Sequence, residues 1–81
     1  MRPYKLPDGA EIWAGIIDES GGDVPELGPV WEVHLPGAEP EEGAGHPLNS
    51  LLASVLGWST AHEEWPAWID DLAASIEADW R

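Results

Sequence analysis

The spacing of the apolar residues changes midway along this chain, and this change limits the possible folds more than any other feature. Over residues 30–35 the side chains alternate, so that Trp31, Val33 and Leu35 fall on one side, as in a strand with one buried face. Residues 47–57 instead place apolar side chains three or four positions apart, which is the spacing of an amphipathic helix. We therefore predict a β-rich first half and a helical second half.

The first half, residues 1–35, has the pattern of an antiparallel β meander. Residues 2–6 form a short candidate strand, and a Pro-Asp-Gly turn separates it from residues 10–17, which are rich in β-branched and aromatic side chains. A turn-rich loop over residues 19–29 follows, with adjacent glycines and with prolines. Together with the alternating strand, these segments predict a three-stranded sheet that buries the side of Trp31.

The middle of the chain predicts an acidic loop and then a first helix. Residues 36–46 combine Pro and Gly with glutamates and offer little to bury, as expected for a connector between the halves. The helical half covers residues 47–81, and in its first helix Pro47 suits the first position and Gly57 suits the C-terminal exit. The apolar stripe of this helix consists of Leu48, Leu51, Leu52, Val55 and Leu56.

The second helix has two alternative starts. Ser59 or Thr60 could cap it, with Glu63 completing a capping box with Thr60. Pro66 then either lies in the first turn of a helix that begins near Glu64, or kinks a helix that begins at Thr60. The apolar stripe of this helix consists of Trp65, Trp68, Ile69, Leu72, Ala73, Ile76 and Trp80.

The length of 81 residues is too small for two domains, so we predict a single α+β domain. A small three-stranded antiparallel sheet precedes two C-terminal helices, which pack on one face of the sheet. Cysteine is absent, which excludes a disulfide framework and thiolate chemistry. No apolar run approaches the ~20 residues that span a bilayer, and we expect a cytoplasmic protein.

The charge balance is strongly acidic, with 16 Asp and Glu against 3 Lys and Arg and a formal net charge of −13. The cations are Arg2, Lys5 and Arg81, so the long stretch from Leu6 to Trp80 has none. Ion pairs within the chain therefore cannot neutralise most of the carboxylates, and the surface must carry a negative field. Such a field disfavours direct binding to nucleic acid or to an anionic membrane. It favours a basic protein or protein complex as the partner.

The carboxylates of the helical half recur in rows. Glu63, Asp70 and Glu77 lie seven positions apart, without the Lys or Arg at i±4 that would stabilise an acidic helix face. The chain also has six tryptophans, which are many for so small a core, and exposed tryptophans are typical anchors of protein interfaces. The predicted partner-binding residues are Glu63, Glu64, Asp70, Asp71, Glu77 and Asp79 of the helical half, Glu39, Glu41 and Glu42 of the acidic loop, and Trp58 and Trp80.

Three interpretations of this acidic surface remain open. It could be a solvated face that keeps the protein soluble, including at high salt. It could imitate the phosphates of a nucleic acid and so inhibit a basic nucleic-acid-binding protein. In general character the chain resembles phage-encoded inhibitors of host defence nucleases, of the anti-CRISPR or anti-restriction type, which act in the host cytoplasm. It could instead dock on a basic toxin or enzyme, as an immunity or accessory protein without mimicry. We favour the second interpretation and leave open the formation of a homodimer.

No catalytic or metal-binding motif is intact in the sequence. Residues 62–66 begin like the zinc motif HExxH, but Pro66 replaces the second histidine. Residues 57–61 lack the final glycine of a G-x-S-x-G elbow, and residues 18–23 lack the ligand spacing of a calcium loop. We therefore expect a binding protein rather than an enzyme, with no cofactor and no metal.

Overall fold

The computed structural model describes residues 1–19, 28–43 and 47–80. Its strands are β1 (Arg2–Lys5), β2 (Glu11–Asp18), β3 (Val30–His34) and β4 (Glu41–Gly43). Its helices are α1 (Leu48–Val55) and α2 (Ala67–Asp79), with a single 3₁₀ turn over His62–Glu64 between them. The predicted loop over residues 19–29 falls mainly outside the described residues.

The predicted α+β fold is confirmed. Strands β1, β2 and β3 form an antiparallel meander, and the two C-terminal helices pack against the sheet. Trp31 and Val33 are buried in the core, with exposed fractions of 6% and 0%, and Leu35 packs beside them. The alternation of residues along β3 therefore identified the inner face of the sheet.

A fourth strand lies where the sequence predicted part of the acidic loop. Strand β4 pairs antiparallel with β3, and Val33 lies opposite Glu41. A turn at Gly37, whose φ is +80°, reverses the chain between the two strands. The loop prediction was wrong for residues 41–43, because the open edge of β3 offers backbone hydrogen bonds that outweigh the weak strand preference of glutamate.

The core lies between the sheet and the helices. Its largest fully buried side chains are Ile12, Val33, Leu48, Leu52, Ile69 and Ile76. Burial of an aliphatic side chain of this size stabilises a fold by roughly 1.5–3 kcal/mol. The partly buried Trp65, Trp68 and Leu72 pack around this core. The stripe predicted for the second helix therefore faces inward, as its spacing indicated.

Helix α1 ends in a glycine-dependent motif that fixes the position of Trp58. Gly57 has a φ of +83°, a left-handed conformation that glycine adopts without steric cost. Its N–H donates to Ser54 O at 3.1 Å, and Trp58 N–H donates to Ala53 O at 2.9 Å, which is the Schellman pattern. The predicted exit at Gly57 is confirmed, whereas Pro47 lies one position before the helix.

Helix α2 begins later than the sequence predicted. Trp65 and Pro66 are both extended, with ψ angles of 143° and 147°, and the helix starts immediately after them. A proline ring disfavours the helical conformation at the preceding residue. A helix that began near Glu64 or at Thr60 would need Trp65 to be helical, so both predicted starts were wrong. The capping box of Thr60 and Glu63 does not form.

The end of α2 is tied to the first strand. Arg2 Nη1 donates to Asp79 Oδ2 at 2.9 Å, and Tyr4 Oη donates to the same oxygen at 2.7 Å. The Arg2 guanidinium also lies 4.4 Å from the centre of the Trp80 ring. A Cβ atom on Gly15 would lie 2.9 Å from Trp80 Cζ2, so the ring has room only because residue 15 is glycine. We call these five residues the terminal clamp.

The substitution Gly15→Ala tests this packing. We expect it to lower the free energy of unfolding, measured in urea, by about 1–3 kcal/mol, which is the usual cost of overpacking a filled site. In a Trp80→Leu background the contacts with the ring are absent and the contact with Met1 Cα at 3.2 Å remains, so the same substitution should cost less. Equal costs in the two backgrounds would show that the Trp80 ring does not limit the site.

Candidate functional site

The described residues include one Arg and one Lys, which both lie on β1 and each form an ion pair with a carboxylate. Arg2 pairs with Asp79 at 2.9 Å, and Lys5 Nζ lies 3.8 Å from Glu11 Oε2. The remaining cation of the sequence, Arg81, lies outside the described residues. Several carboxylates of the helical half have no Lys or Arg of the described residues at ion-pair distance. They include Glu63, Glu64, Asp70 and Asp71. We call these four residues the acidic face.

Within the acidic face, Asp70 has polar partners of its own. Asn49 Nδ2 of α1 donates to Asp70 Oδ1 at 2.9 Å, and His62 Nε2 lies 2.8 Å from Asp70 Oδ2. The pKa of Asp70 lies below its usual value. The hydrogen bond from Asn49 is the larger cause, and the hydrogen bond with His62 is the next largest. The Asp70 carboxylate is therefore charged near neutral pH and held at the junction of α1, the 3₁₀ turn and α2.

A groove with a volume of about 520 Å³ lies between β4, α1 and the turn that follows α1. Its floor contains Leu51 and Ala53, which are 6% and 1% exposed, and Trp58 and Trp65 line its sides. This volume is within the range of ~300–1,000 Å³ that is typical of ligand pockets. We call it the β4–α1 groove.

One predicted contact carboxylate lines this groove, and a second is bonded to one of its lining residues. Glu41 of β4 lines it and accepts a hydrogen bond from Ser54 Oγ at 3.1 Å. Glu64 of the 3₁₀ turn accepts a hydrogen bond from the hydroxyl of Ser59, another lining residue. Trp65 Nε1 donates to Ser59 O at 2.7 Å, which holds this turn against the ring. The groove therefore combines aliphatic and indole side chains with one lining carboxylate, that of Glu41.

The two tryptophans predicted as partner anchors differ in exposure. Trp58 is 42% exposed and lines the groove, whereas Trp80 is half-buried in the terminal clamp. Asp79, another predicted contact residue, belongs to the same clamp. The pKa of Asp79 lies below its usual value. The hydrogen bond from the Tyr4 hydroxyl is the larger cause, and the hydrogen bond from the Arg2 guanidinium is the next largest. Both clamp residues thus have contacts within the chain that the sequence did not predict.

The other predicted contact residues lie outside the groove lining. Glu39 is exposed ahead of β4, Glu63 and Asp71 are exposed on the acidic face, and Glu77 is half-buried on α2. Glu42 lies on β4, and its side chain is not among the described atoms. The groove therefore gathers only part of the predicted set, and its serine and aliphatic lining was not predicted from the sequence.

Neither a metal site nor a membrane-crossing helix is found within the described ranges. No group of three or more His, Asp or Glu side chains in them is placed to hold a metal ion, and none of their helices has the length and apolarity to cross a bilayer. Comparisons with protein-family models, curated proteins and solved structures gave no match. Function must therefore be argued from the geometry of this chain.

The terminal clamp predicts a specific dependence of stability on pH. The pKa of Asp79 is lower in the folded state than the usual ~3.9 of an aspartate. Its contribution is therefore present above about pH 4 and is lost as the pH falls through the folded-state pKa. We expect the stability difference between wild type and Asp79→Asn, measured by urea unfolding from pH 7 to pH 2, to shrink below about pH 4.

Asp71→Asn is the matched control, because it removes the same charge from an exposed position of the same helix. Its stability difference from wild type should change less with pH than that of Asp79→Asn. If the two variants show the same pH dependence, the Tyr4 and Arg2 contacts do not stabilise the charged form of Asp79.

Proposed function

We propose that this protein is an acidic inhibitor that binds the nucleic-acid-binding surface of a basic protein or complex and keeps nucleic acid away from it. The proposed targets are defence nucleases, of the kind that anti-CRISPR or anti-restriction proteins inhibit. The compartment is the cytoplasm, and it is the host cytoplasm if a phage encodes the chain. The protein acts by stoichiometric binding, without catalysis, a cofactor or a metal.

The observation that carries this proposal is the position of the cations. Arg2 and Lys5 both lie on β1, where each has a carboxylate partner. Within the described residues, the acidic face at the other end of α2 therefore has the imidazole of His62 beside Asp70 but no Lys or Arg at ion-pair distance. A cationic partner relieves the repulsion among these carboxylates, and the negative field speeds its arrival.

Nucleic-acid mimicry is supported by the way in which different elements supply the carboxylates. Carboxylates seven residues apart on one helix stand about 10.5 Å apart, which does not match the ~3.4 Å rise between phosphates of one strand. Glu41 of β4 lines the β4–α1 groove, and Glu64 of the 3₁₀ turn is bonded to Ser59, another residue of its lining. Carboxylates from several elements can present closer spacings than one helix row.

An immunity or accessory protein that docks on a basic toxin or enzyme is the second candidate. The exposed ring of Trp58 favours it, because an indole has no counterpart in a phosphate backbone. Buried aromatic anchors lower the off-rate of protein complexes whether or not mimicry is involved. The two candidates differ in whether bound nucleic acid and this protein exclude each other.

The test begins with capture of the partner from the native host and continues with the purified pair. We expect the affinity for the partner to fall steeply with salt, and excess DNA or RNA to displace the inhibitor. Binding that persists beside saturating nucleic acid would reject mimicry and support the second candidate. Both experiments use the complete chain.

A matched pair of variants separates a specific surface from bulk acidity. Glu63→Gln with Asp71→Asn removes two carboxylates from the acidic face. Glu19→Gln with Glu32→Gln removes the same charge from the turn after β2 and from β3. We expect the first pair to weaken partner binding by about twofold to fivefold for each carboxylate and the second pair to have a much smaller effect. Equal or absent effects would indicate that the acidity serves solubility alone.

A further inference from the structure

The β4–α1 groove differs from the rest of the acidic surface because it joins aromatic and apolar atoms to carboxylate oxygens. A solvated acidic face needs no cavity, and a phosphate-like array needs no indole ring. Trp58 is held at this groove by its backbone bond to Ala53 O, yet its side chain is 42% exposed. An exposed, positioned tryptophan that lines the same groove as a carboxylate is an arrangement suited to a cationic side chain.

We propose that the β4–α1 groove receives one arginine side chain of the basic partner, with Glu41 as its counter-ion and Trp58 as its stacking surface. This inference rests on the proposed function and names the chemistry that the partner must present. The net charge of −13 and the engagement of Arg2 and Lys5 on β1 select a cation as the occupant.

The groove lining matches the parts of an arginine side chain in turn. Its methylene groups can cover the apolar floor at Leu51 and Ala53, as long basic side chains commonly do on apolar surfaces. The planar guanidinium can stack on the Trp58 ring. Its N–H groups can then donate to Glu41, which uses only part of its accepting capacity on Ser54.

Arginine fits this lining better than lysine does. A guanidinium has five donors in a fixed plane, while an ammonium is a compact and strongly hydrated charge. The hydroxyl-bearing residues Ser50, Ser54 and Thr60 line the groove together with Glu41, so acceptors of more than one kind are available to a donor there. A flat donor that stacks on an indole and binds several acceptors satisfies this geometry.

The test uses the complete chain and small peptides as probes. Acetyl-Gly-Arg-Gly-amide is titrated into the ¹⁵N-labelled protein while the indole N–H signals of the six tryptophans are followed. The matched probes are the same peptide with lysine, and the same peptide with citrulline, which keeps the shape of arginine without its charge. We expect the Trp58 signal to move most and the Trp13 signal, from the sheet, to remain in place.

The expected order of affinity is arginine, then lysine, then citrulline. Glu41→Gln should weaken binding of the arginine peptide by about threefold to fivefold, and its amide oxygen can still accept from Ser54, so the fold is retained. Trp58→Ala should weaken binding to a similar extent through loss of stacking. Glu19→Gln removes an equal charge from an exposed position beyond β2 and should leave the affinity nearly unchanged.

Equal binding of the arginine and citrulline peptides would overturn the inference, as would a titration in which the Trp58 indole signal does not move.

The failure of this inference is distinguishable from that of the proposed function. If the partner competes with nucleic acid but ignores Glu41→Gln and Trp58→Ala, the groove assignment is wrong and the proposed function stands. If the arginine peptide binds in the groove but the partner binds this protein unchanged beside saturating nucleic acid, the groove assignment stands and the proposed function is wrong.

Discussion

The contact of Arg2 with Asp79 and Trp80 joins the two ends of the described chain and commits one of the few cations to that place. It joins the first strand to the last turn of the final helix by an ion pair and by stacking. The chain has 3 Lys and Arg for 16 Asp and Glu, so each cation used for folding is unavailable elsewhere. Repulsion among the carboxylates of the acidic face then opposes the compact state, and burial of the core side chains has to offset it. A cationic partner would remove this repulsion, which connects the stability of the fold with its proposed function.

The shape of the β4–α1 groove follows from local backbone rules rather than from charge. Gly57 permits the left-handed turn that ends α1 and leads the chain to Trp58. Pro66 keeps the residue before it extended, so the segment between the helices cannot continue as helix and instead forms the side of the groove. The hydrogen bond from Trp65 to Ser59 then fixes that segment. The exposed ring of Trp58 on this groove is thus a consequence of how two helices are joined.

Periodic burial made much of the fold predictable from the sequence. The inner face of β3 and the stripe of α2 both repeat at the spacing of their element, and Val33 and Ile76 are fully buried, as expected. Strand β4 was missed because its pairing depends on the free edge of β3, which a local pattern of glutamates does not reveal. The clamp was missed because its ion pair joins residues 77 positions apart. The acidic residues of the site were visible as charge, whereas the groove depends on the meeting of β4 with α1, which no single segment encodes.

The central claim is that the acidic face and the β4–α1 groove, rather than strands β1 and β2, meet a cationic partner. Hydrogen–deuterium exchange of the protein, alone and bound to the partner recovered from its host, tests this claim most directly. The account predicts slower exchange in the complex at the turn around Trp58 and at the start of α2, with β1 and β2 unchanged. Protection confined to β1 and β2, or no change at the turn and α2, would contradict it.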